Sequence, residues 1–281
     1  MSSGYPQRVV CLTEETTEVL YRIGAGDLVV GVSGFTVRPP EAREKPKISR
    51  FLDADTAEIE ALAPDLVLAF SDLQVDIVRE LGRRGLDVML FNQRSVAEIL
   101  QAIRMIGALV GRAAPAEELA DQLADKIDTV RARPLARRPR VWLEEWPDPL
   151  ISGIRWFSEL AEIAGAEPLF PERALEQGAA GRTVNAEEVA AAAPEAIIGS
   201  WCGKMVKPAE IRAREDWQKV PALRDDHIYE VPSPLILQPG PTALDEGLDH
   251  LVAIVDSINA GAPTLPQLGP RRARGVPMRE A

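Results

Sequence analysis

Cysteine and histidine are almost missing. In 281 residues there are two cysteines, Cys11 and Cys202, and two histidines, His227 and His250. Two thiols cannot build a disulfide framework, and two imidazoles leave little for a histidine metal site or a catalytic relay. Basic residues are also short: 32 Lys+Arg face 43 Asp+Glu, a formal charge of −11 with a pI near 4.9. Such a field repels phosphate backbones and anionic membranes, so nucleic acid is excluded as a partner. The one basic cluster, Arg271, Arg272 and Arg274, lies among Pro and Gly near the C-terminus and reads as a solvated tail. No apolar run approaches the ~18 residues that span a bilayer, so no membrane insertion is expected. The opening MSSGYPQ has neither a basic n-region nor an apolar h-region. The expectation is a cytoplasmic chain, or a periplasmic one if an export segment precedes it. Catalytic signatures are missing too: there is no P-loop, no G-x-G-x-x-G after the first strand and no G-x-S-x-G elbow. GAGD at Gly24 follows a helical pattern and reads as a C-cap and turn.

What is present is an ordinary globular composition, 46% hydrophobic and 27% charged. At about 150 residues per domain the length suits two domains or one large one. Runs of strand length occur at 8–12, 28–32, 66–70 and 87–91, continuous rather than alternating, as in strands covered on both faces. Helical patterns separate them. Ser95 with Glu98 forms a capping box before Val96, Ile99, Leu100, Ile103, Ile106 and Leu109. After Pro115, Leu119, Leu123, Ile127 and Val130 mark a helix that Pro134 stops. At about 19 residues it would span roughly 28 Å, enough to bridge two lobes. A second copy follows: DTAEIEALAPDLVLAF from Asp55 matches NAEEVAAAAPEAIIGS from Asn185, with cap, proline and strand in step. The fold class read from this is α/β, with two Rossmann-like lobes, parallel-type sheets, a long bridging helix and a ligand cleft between the lobes. The expected boundaries are 1–112 for the N-terminal lobe, 113–136 for the bridge, 137–262 for the C-terminal lobe and 263–281 for a disordered tail.

In open parallel sheets ligands sit beyond the carboxyl ends of the strands. That rule nominates Glu15, Phe35, Arg50, Phe70, Ser71, Gln93 and Arg94 in the first lobe. In the second it nominates Glu145, Trp146, Arg155, Trp156, Trp201 and Cys202. Trp146, Trp156 and Trp201 fall at strand ends or helix starts, and aromatic walls around a few polar groups suit a large, flat, partly apolar ligand. Each tryptophan alone suits core packing equally well. The acid pairs Glu14/Glu15 and Glu144/Glu145 suit acid–base work, a bound cation, or a solvated helix N-terminus. On a strand only one member of a pair can face the cleft. Cys11 reads as an inert buried thiol, and both histidines as structural.

The segments RVVCLTEETTEVLYRIGAGDLVVGVS, PPEAREKPKI and ALAPDLVLAFSD carry a family resemblance. So do EEWPDPLISGIRWFSELAEIAGAEPLF, WQKVPALRDDHIYEVP and the helix after PGPTALDEGL. Over about residues 7 to 260 the chain resembles the class III substrate-binding proteins that capture cobalamin, haem and ferric siderophores, and within them the cobalamin-binding-like subgroup. The resemblance implies binding without catalysis, no resident cofactor or metal, a rigid helical linker and a shallow cleft holding a corrinoid, haem or iron chelate. Phe70 would lie against the ligand, with Trp146, Trp156 and Trp201 opposite. An ABC permease is the implied partner, docked through an acidic residue on each lobe, with Asp76 and Glu187 as candidates. The exported members' signal peptide and lipobox are not seen in the sequence as written, so a cytosolic binder for storage, sensing or handover is the expectation. The alternatives are an enzyme acting on a tetrapyrrole or nucleotide-linked substrate, and a protein–protein module.

Overall fold

Buried β-branched and aliphatic runs form the strands, and the amphipathic stretches between them form the helices. A computed structural model describes residues 4–261; the basic cluster and the tail expected over 263–281 lie outside the described residues. The first sheet contains β1 (Val9–Cys11), β2 (Val29–Ser33), β3 (Lys47–Ser49), β4 (Leu66–Phe70) and β5 (Val88–Phe91). Its order is β3-β2-β1-β4-β5 and every pairing is parallel. The second contains β6 (Arg140–Pro147), β7 (Leu150–Ser152), β9 (Ala196–Gly199) and β10 (Ile228–Glu230) in the order β10-β9-β6-β7, with β8 (Glu167–Pro168) also paired to β6. All of these pairings are parallel except β6–β7, an antiparallel hairpin at the edge.

The helices that matter for the site are α1 (Glu14–Arg22), α2 (Thr56–Ala61), α3 (Val75–Arg83), α4 (Val96–Leu109), α5 (Ala113–Arg131) and α6 (Arg155–Ala164). The capping box at the start of α4 is formed: the Ser95 hydroxyl accepts from Glu98 N at 3.2 Å, and Glu98 accepts from Ser95 N at 2.9 Å. The internal repeat is conformational as well as textual. Asp55 accepts from Glu58 N at 2.9 Å, and Asn185 accepts from Glu188 N at 2.8 Å. Ala63 and Ala193, each just before its proline, both turn to positive φ, 47° and 49°.

The two sheets do not have separate interiors. One apolar cluster runs from Val9, Cys11, Leu66 and Leu68 of the first sheet through Ile99, Ile103, Leu119, Leu123 and Ile127 of α4 and α5. It continues through Trp156 and Leu160 of α6 to Val141, Leu143 and Ile198 of the second sheet. The outer face of each sheet has its own smaller cluster. α4 and α5 cross closely because Gly107 has no side chain: a Cβ there would stand 2.1 Å from the Ala116 Cβ and 2.8 Å from the Arg112 carbonyl.

Gly107→Ala should therefore destabilise by about 1–3 kcal/mol in urea unfolding, as overpacking does, despite the better helix propensity of alanine. Gly82→Ala in α3 meets nothing within 4 Å and should instead gain roughly 0.5–1 kcal/mol. Equal behaviour of the two variants would show that the α4–α5 contact is not tight.

Candidate functional site

Loops leaving the carboxyl ends of the strands converge between the lobes. At the end of β4, Ser71 takes φ 77°, which turns its hydroxyl back into the fold. That hydroxyl accepts from Arg94 Nη2 at 3.0 Å, and the same nitrogen donates to Asp72 Oδ1 at 2.9 Å. The Arg94 guanidinium lies over the Phe70 ring, 4.9 Å from its centroid. Phe70 is thus covered by Arg94 and packs in the shared core, 5% exposed. Arg94 is only 9% exposed, and its Nε is buried without an acceptor. In the second lobe, Arg182 is held by both oxygens of Glu145, at 2.6 and 3.0 Å, and by the Ser152 carbonyl. Glu145 also accepts from Ile154 N at 3.1 Å, just before α6. Burial, with the charge of nearby Arg182 adding to it, holds the Arg94 pKa below the ordinary value.

A cavity of about 220 Å³ opens at this junction, lined by Asn92, Arg94 and Glu98 from the first lobe and by Arg155, Leu175 and Glu176 among others from the second. Large apolar side chains stand exposed on the strand-end loops of both lobes, an apolar rim of which Leu175 also lines the cavity. Phe35 (46% exposed), Val37, Leu52, Leu73 and Val75 follow β2, β3 and β4, and Leu175 and Met205 follow β8 and β9. Among the described residues, Tyr5 and Met105 are the only other large apolar side chains exposed to this degree. Arg50, exposed, lies beside Phe51 on the same rim. Trp146 is half-buried on the β6–β7 hairpin; its Nε1 donates to the Asp148 carbonyl at 2.8 Å, and Lys204 Nζ stands 3.8 Å above its ring. Cys202 is exposed, and desolvation of the thiol plus the charges of Glu145 and of Glu14 across the cleft raise its pKa. A larger cavity, about 480 Å³, is lined by the sides of α4, α5 and α6 and by Arg138, not by strand-end loops.

Two expectations are corrected. Trp156 and Trp201 are core residues, not cleft walls. Trp156 donates to the Ile236 carbonyl at 2.7 Å from within the shared core. Trp201 is 1% exposed on the outer face of the second sheet, where it donates to Glu144 at 3.0 Å. The physical reason is Glu144 itself, fully buried and bound by Trp142, Trp201 and both terminal nitrogens of Arg214; an indole that satisfies a buried carboxylate cannot also line a cleft. The second correction concerns Glu14 and Glu15, which start α1: Glu15 is buried and Glu14 half-buried, not a solvated pair. A strap returning from the second lobe crosses them: Gln238 Nε2 donates to Glu14 at 3.0 Å and the Thr242 hydroxyl to Glu18 at 2.5 Å. Gln93 Nε2 donates to the Pro239 carbonyl at 3.1 Å, so Gln93 serves the strap as well. Gly240 passes so near that a Cβ would stand 2.6 Å from the Glu15 Cβ. Glu15 accepts the Thr13 hydroxyl at 2.5 Å through one oxygen, and its other oxygen is buried without a partner. Arg182 and the strap were missed from sequence: nothing in GAAGR marks a buried cation, and the proline-flanked Gly240 was the only hint of a close crossing.

Among the described residues no group of three or more His, Cys, Asp or Glu is placed to hold a metal ion, and no helix is long and apolar enough to cross a membrane. Cys11 is inert as expected, its thiol pushed up to about 12 by burial.

A family model described as periplasmic binding protein matches residues 9–235. An uncharacterised ABC transporter substrate-binding lipoprotein, YvrC of Bacillus subtilis, is 26% identical over 261 residues, covering 88% of this chain and 79% of the relative. A vitamin B12-binding protein of Vibrio parahaemolyticus is 25% identical over 250 residues, covering 87% and 88%. Among solved structures, the periplasmic heme-binding protein RhuT from Roseiflexus superposes with a TM-score of 0.77 at 21% identity, over 90% of this chain and 99% of that one; at that identity the likeness shows the fold.

The buried carboxyls make stability pH-dependent in a stated direction. Burial pushes Glu14 to about 7 and Glu15 to about 8. Both hold their protons to higher pH folded than unfolded, so the folded state binds more protons and stability falls as pH rises. The window runs from about 4.5, where the unfolded carboxyls ionise, up to about 8, above which these groups add no further slope. Glu18 is raised too, partly offset by Arg22 and Arg38. Urea midpoints measured from pH 5 to 9 should decline for the native chain and decline less for Glu15→Gln; identical slopes would contradict the burial of Glu15.

Proposed function

The chain belongs to the periplasmic binding protein family, and we propose that it captures a large metal chelate or tetrapyrrole-like molecule (a corrinoid, haem or ferric siderophore) in the cleft between its lobes. The observation that carries this reading is the apolar rim: seven large side chains left in water on the strand-end loops of both lobes. Exposed apolar groups gathered around a concave site mark a binding surface. The family is one of binding proteins, so the enzyme alternative is set aside. Phe35, Arg50, Trp146 and Cys202 are the exposed or half-exposed contact residues in this reading, with Phe70, Ser71, Arg94, Glu145 and Arg155 forming the floor. The lipoprotein relative belongs to an ABC transporter, and the role we assign is delivery to such a permease, with exposed Asp76 and Glu187 as the docking acids, one on each lobe. A cytosolic location is the rival proposal. Fractionation of producing cells separates the two: envelope-associated protein supports delivery, and cytosolic protein supports storage or sensing.

Absorbance and native-mass titrations with cyanocobalamin, cobinamide, haem and a ferric catecholate should give a one-to-one complex with at least one of them. Trp146→Ala should weaken that complex roughly tenfold, the ~1–3 kcal/mol scale of a lost aromatic stacking partner. Failure of all these probes to shift the spectrum or the mass would overturn the reading.

A further inference from the structure

We propose that the ligand carries an oxyanion, a carboxylate or phosphate, and that Arg94 and Arg155 read it at the cavity between the lobes. This deepens the binding role above and rests on it. Four observations converge on that place. Arg94 is nine-tenths buried yet keeps an Nε with no acceptor, and only its Nη2 is committed, to Ser71 and Asp72. A buried donor without an acceptor costs free energy that a bound acceptor recovers. Arg155 comes from the other lobe, is 40% exposed at its side chain, and has only its Nε committed, to Glu159 at 2.8 Å. Arg94 and Arg155 therefore line one cavity from opposite lobes, and each guanidinium keeps donors that no protein acceptor takes up.

The helix beneath points the same way. α6 begins at Arg155 with Ile154 as its N-cap, so no side-chain oxygen caps its first turn, and that turn contains no acid. The Glu145 carboxylate accepts the amide of that N-cap at 3.1 Å, so one donor at the helix's positive end is already answered, and the rest of that end favours a further anion. The nearby carboxylates are largely occupied. Glu98 accepts the backbone amides of Arg94 and Ser95 at 2.7 and 2.9 Å. Glu159 is shared between Val96 N at 2.7 Å and Arg155, and Glu145 is engaged by Arg182. Glu176 is the one lining carboxylate with no such engagement, and it lies at the exposed mouth. A planar oxyanion that accepts from both guanidinium groups would tie the lobes together through the ligand.

The consequence is a specificity claim: an acidic chelate is preferred over a neutral one of the same size. The test compares matched pairs, haem against its dimethyl ester and cobyric acid against cobinamide, by fluorescence and calorimetric titration. The chains are wild type, Arg94→Gln, Arg155→Gln and Arg155→Lys. The acid of at least one pair should bind at least tenfold tighter than its neutral partner. That ratio should fall towards one in Arg94→Gln and Arg155→Gln, and Arg155→Lys should keep part of it. Arg155 is half-exposed, so its variants keep the proposal testable even where Arg94→Gln unfolds. Equal affinity for acid and neutral forms in the wild type, or a ratio that survives both glutamine variants, would overturn the anion site and leave the binding role standing. If neither member of either pair binds, the anion site falls, and the titration with the ferric catecholate decides whether the chelate-binding role stands.

Discussion

The structure depends on one apolar core that is continuous through both lobes. The inner faces of the two sheets bury against α4, α5 and α6, and the C-terminal helix Leu248–Asn259 completes the same cluster. Protein interiors are packed to crystal-like density, so the lobes cannot swing apart without opening that packing. The close crossing of Gly107 and Ala116 removes further slack at the junction of the first lobe with the bridge. The strap over α1 adds a polar restraint at the site end, with Gln238 and Thr242 on Glu14 and Glu18 and with Gln93 on Pro239. A cleft held in this way exists before its ligand arrives, and affinity is then not spent on ordering it.

β6 organises the second lobe through alternation. Successive side chains on a strand face opposite ways, so Trp142 and Glu144 point to the outer cluster while Val141 and Leu143 join the shared core. Glu144 and Glu145 end up in different worlds one residue apart. Glu144, fully buried, is satisfied by two indoles and a bidentate Arg214, whose guanidinium also lies 4.3 Å over Trp217. Glu145 turns to the cleft and positions Arg182. A buried carboxylate is tolerable only when its oxygens are fully engaged, and here that requirement draws Trp201 out of the cleft.

This explains what the sequence could and could not convey. Periodicity and caps are local, so the buried strand runs, the Ser95–Glu98 box, the repeat at Asp55 and Asn185 and the helix before Pro134 were legible. β3 was not, since Lys47–Ser49 is three residues long with a lysine at its start. Side-chain direction beyond a strand end is set by partners far along the chain. Trp201 could not announce Glu144, 57 residues away, and Glu15 could not announce Gly240. The loop rule therefore misplaced two of its tryptophans. The acids of α1 misled for a related reason: a helix N-terminus normally leaves carboxylates in water, and only the returning strap takes that water away.

The cleft that remains combines two environments that seldom coexist on a bare surface. Its rim is apolar and open, with Phe35, Leu52, Leu73 and Met205 in solvent. Its floor is charged and nearly dry, with Arg94 and Arg182 each keeping a buried Nε without an acceptor. Covering the rim removes apolar area from water at roughly 25 cal/mol per Å², and the same cover lowers the dielectric around the floor, which strengthens every charge interaction there. A flat molecule with an acidic arm would use both effects at once, its body over the rim and its arm towards Arg94 and Arg155. A purely apolar molecule would leave the spare guanidinium donors without an acceptor, and a small free anion would leave the rim in water. The shape of the site and the chemistry of its floor thus constrain each other, and both follow from a core rigid enough to hold unsatisfied donors in place.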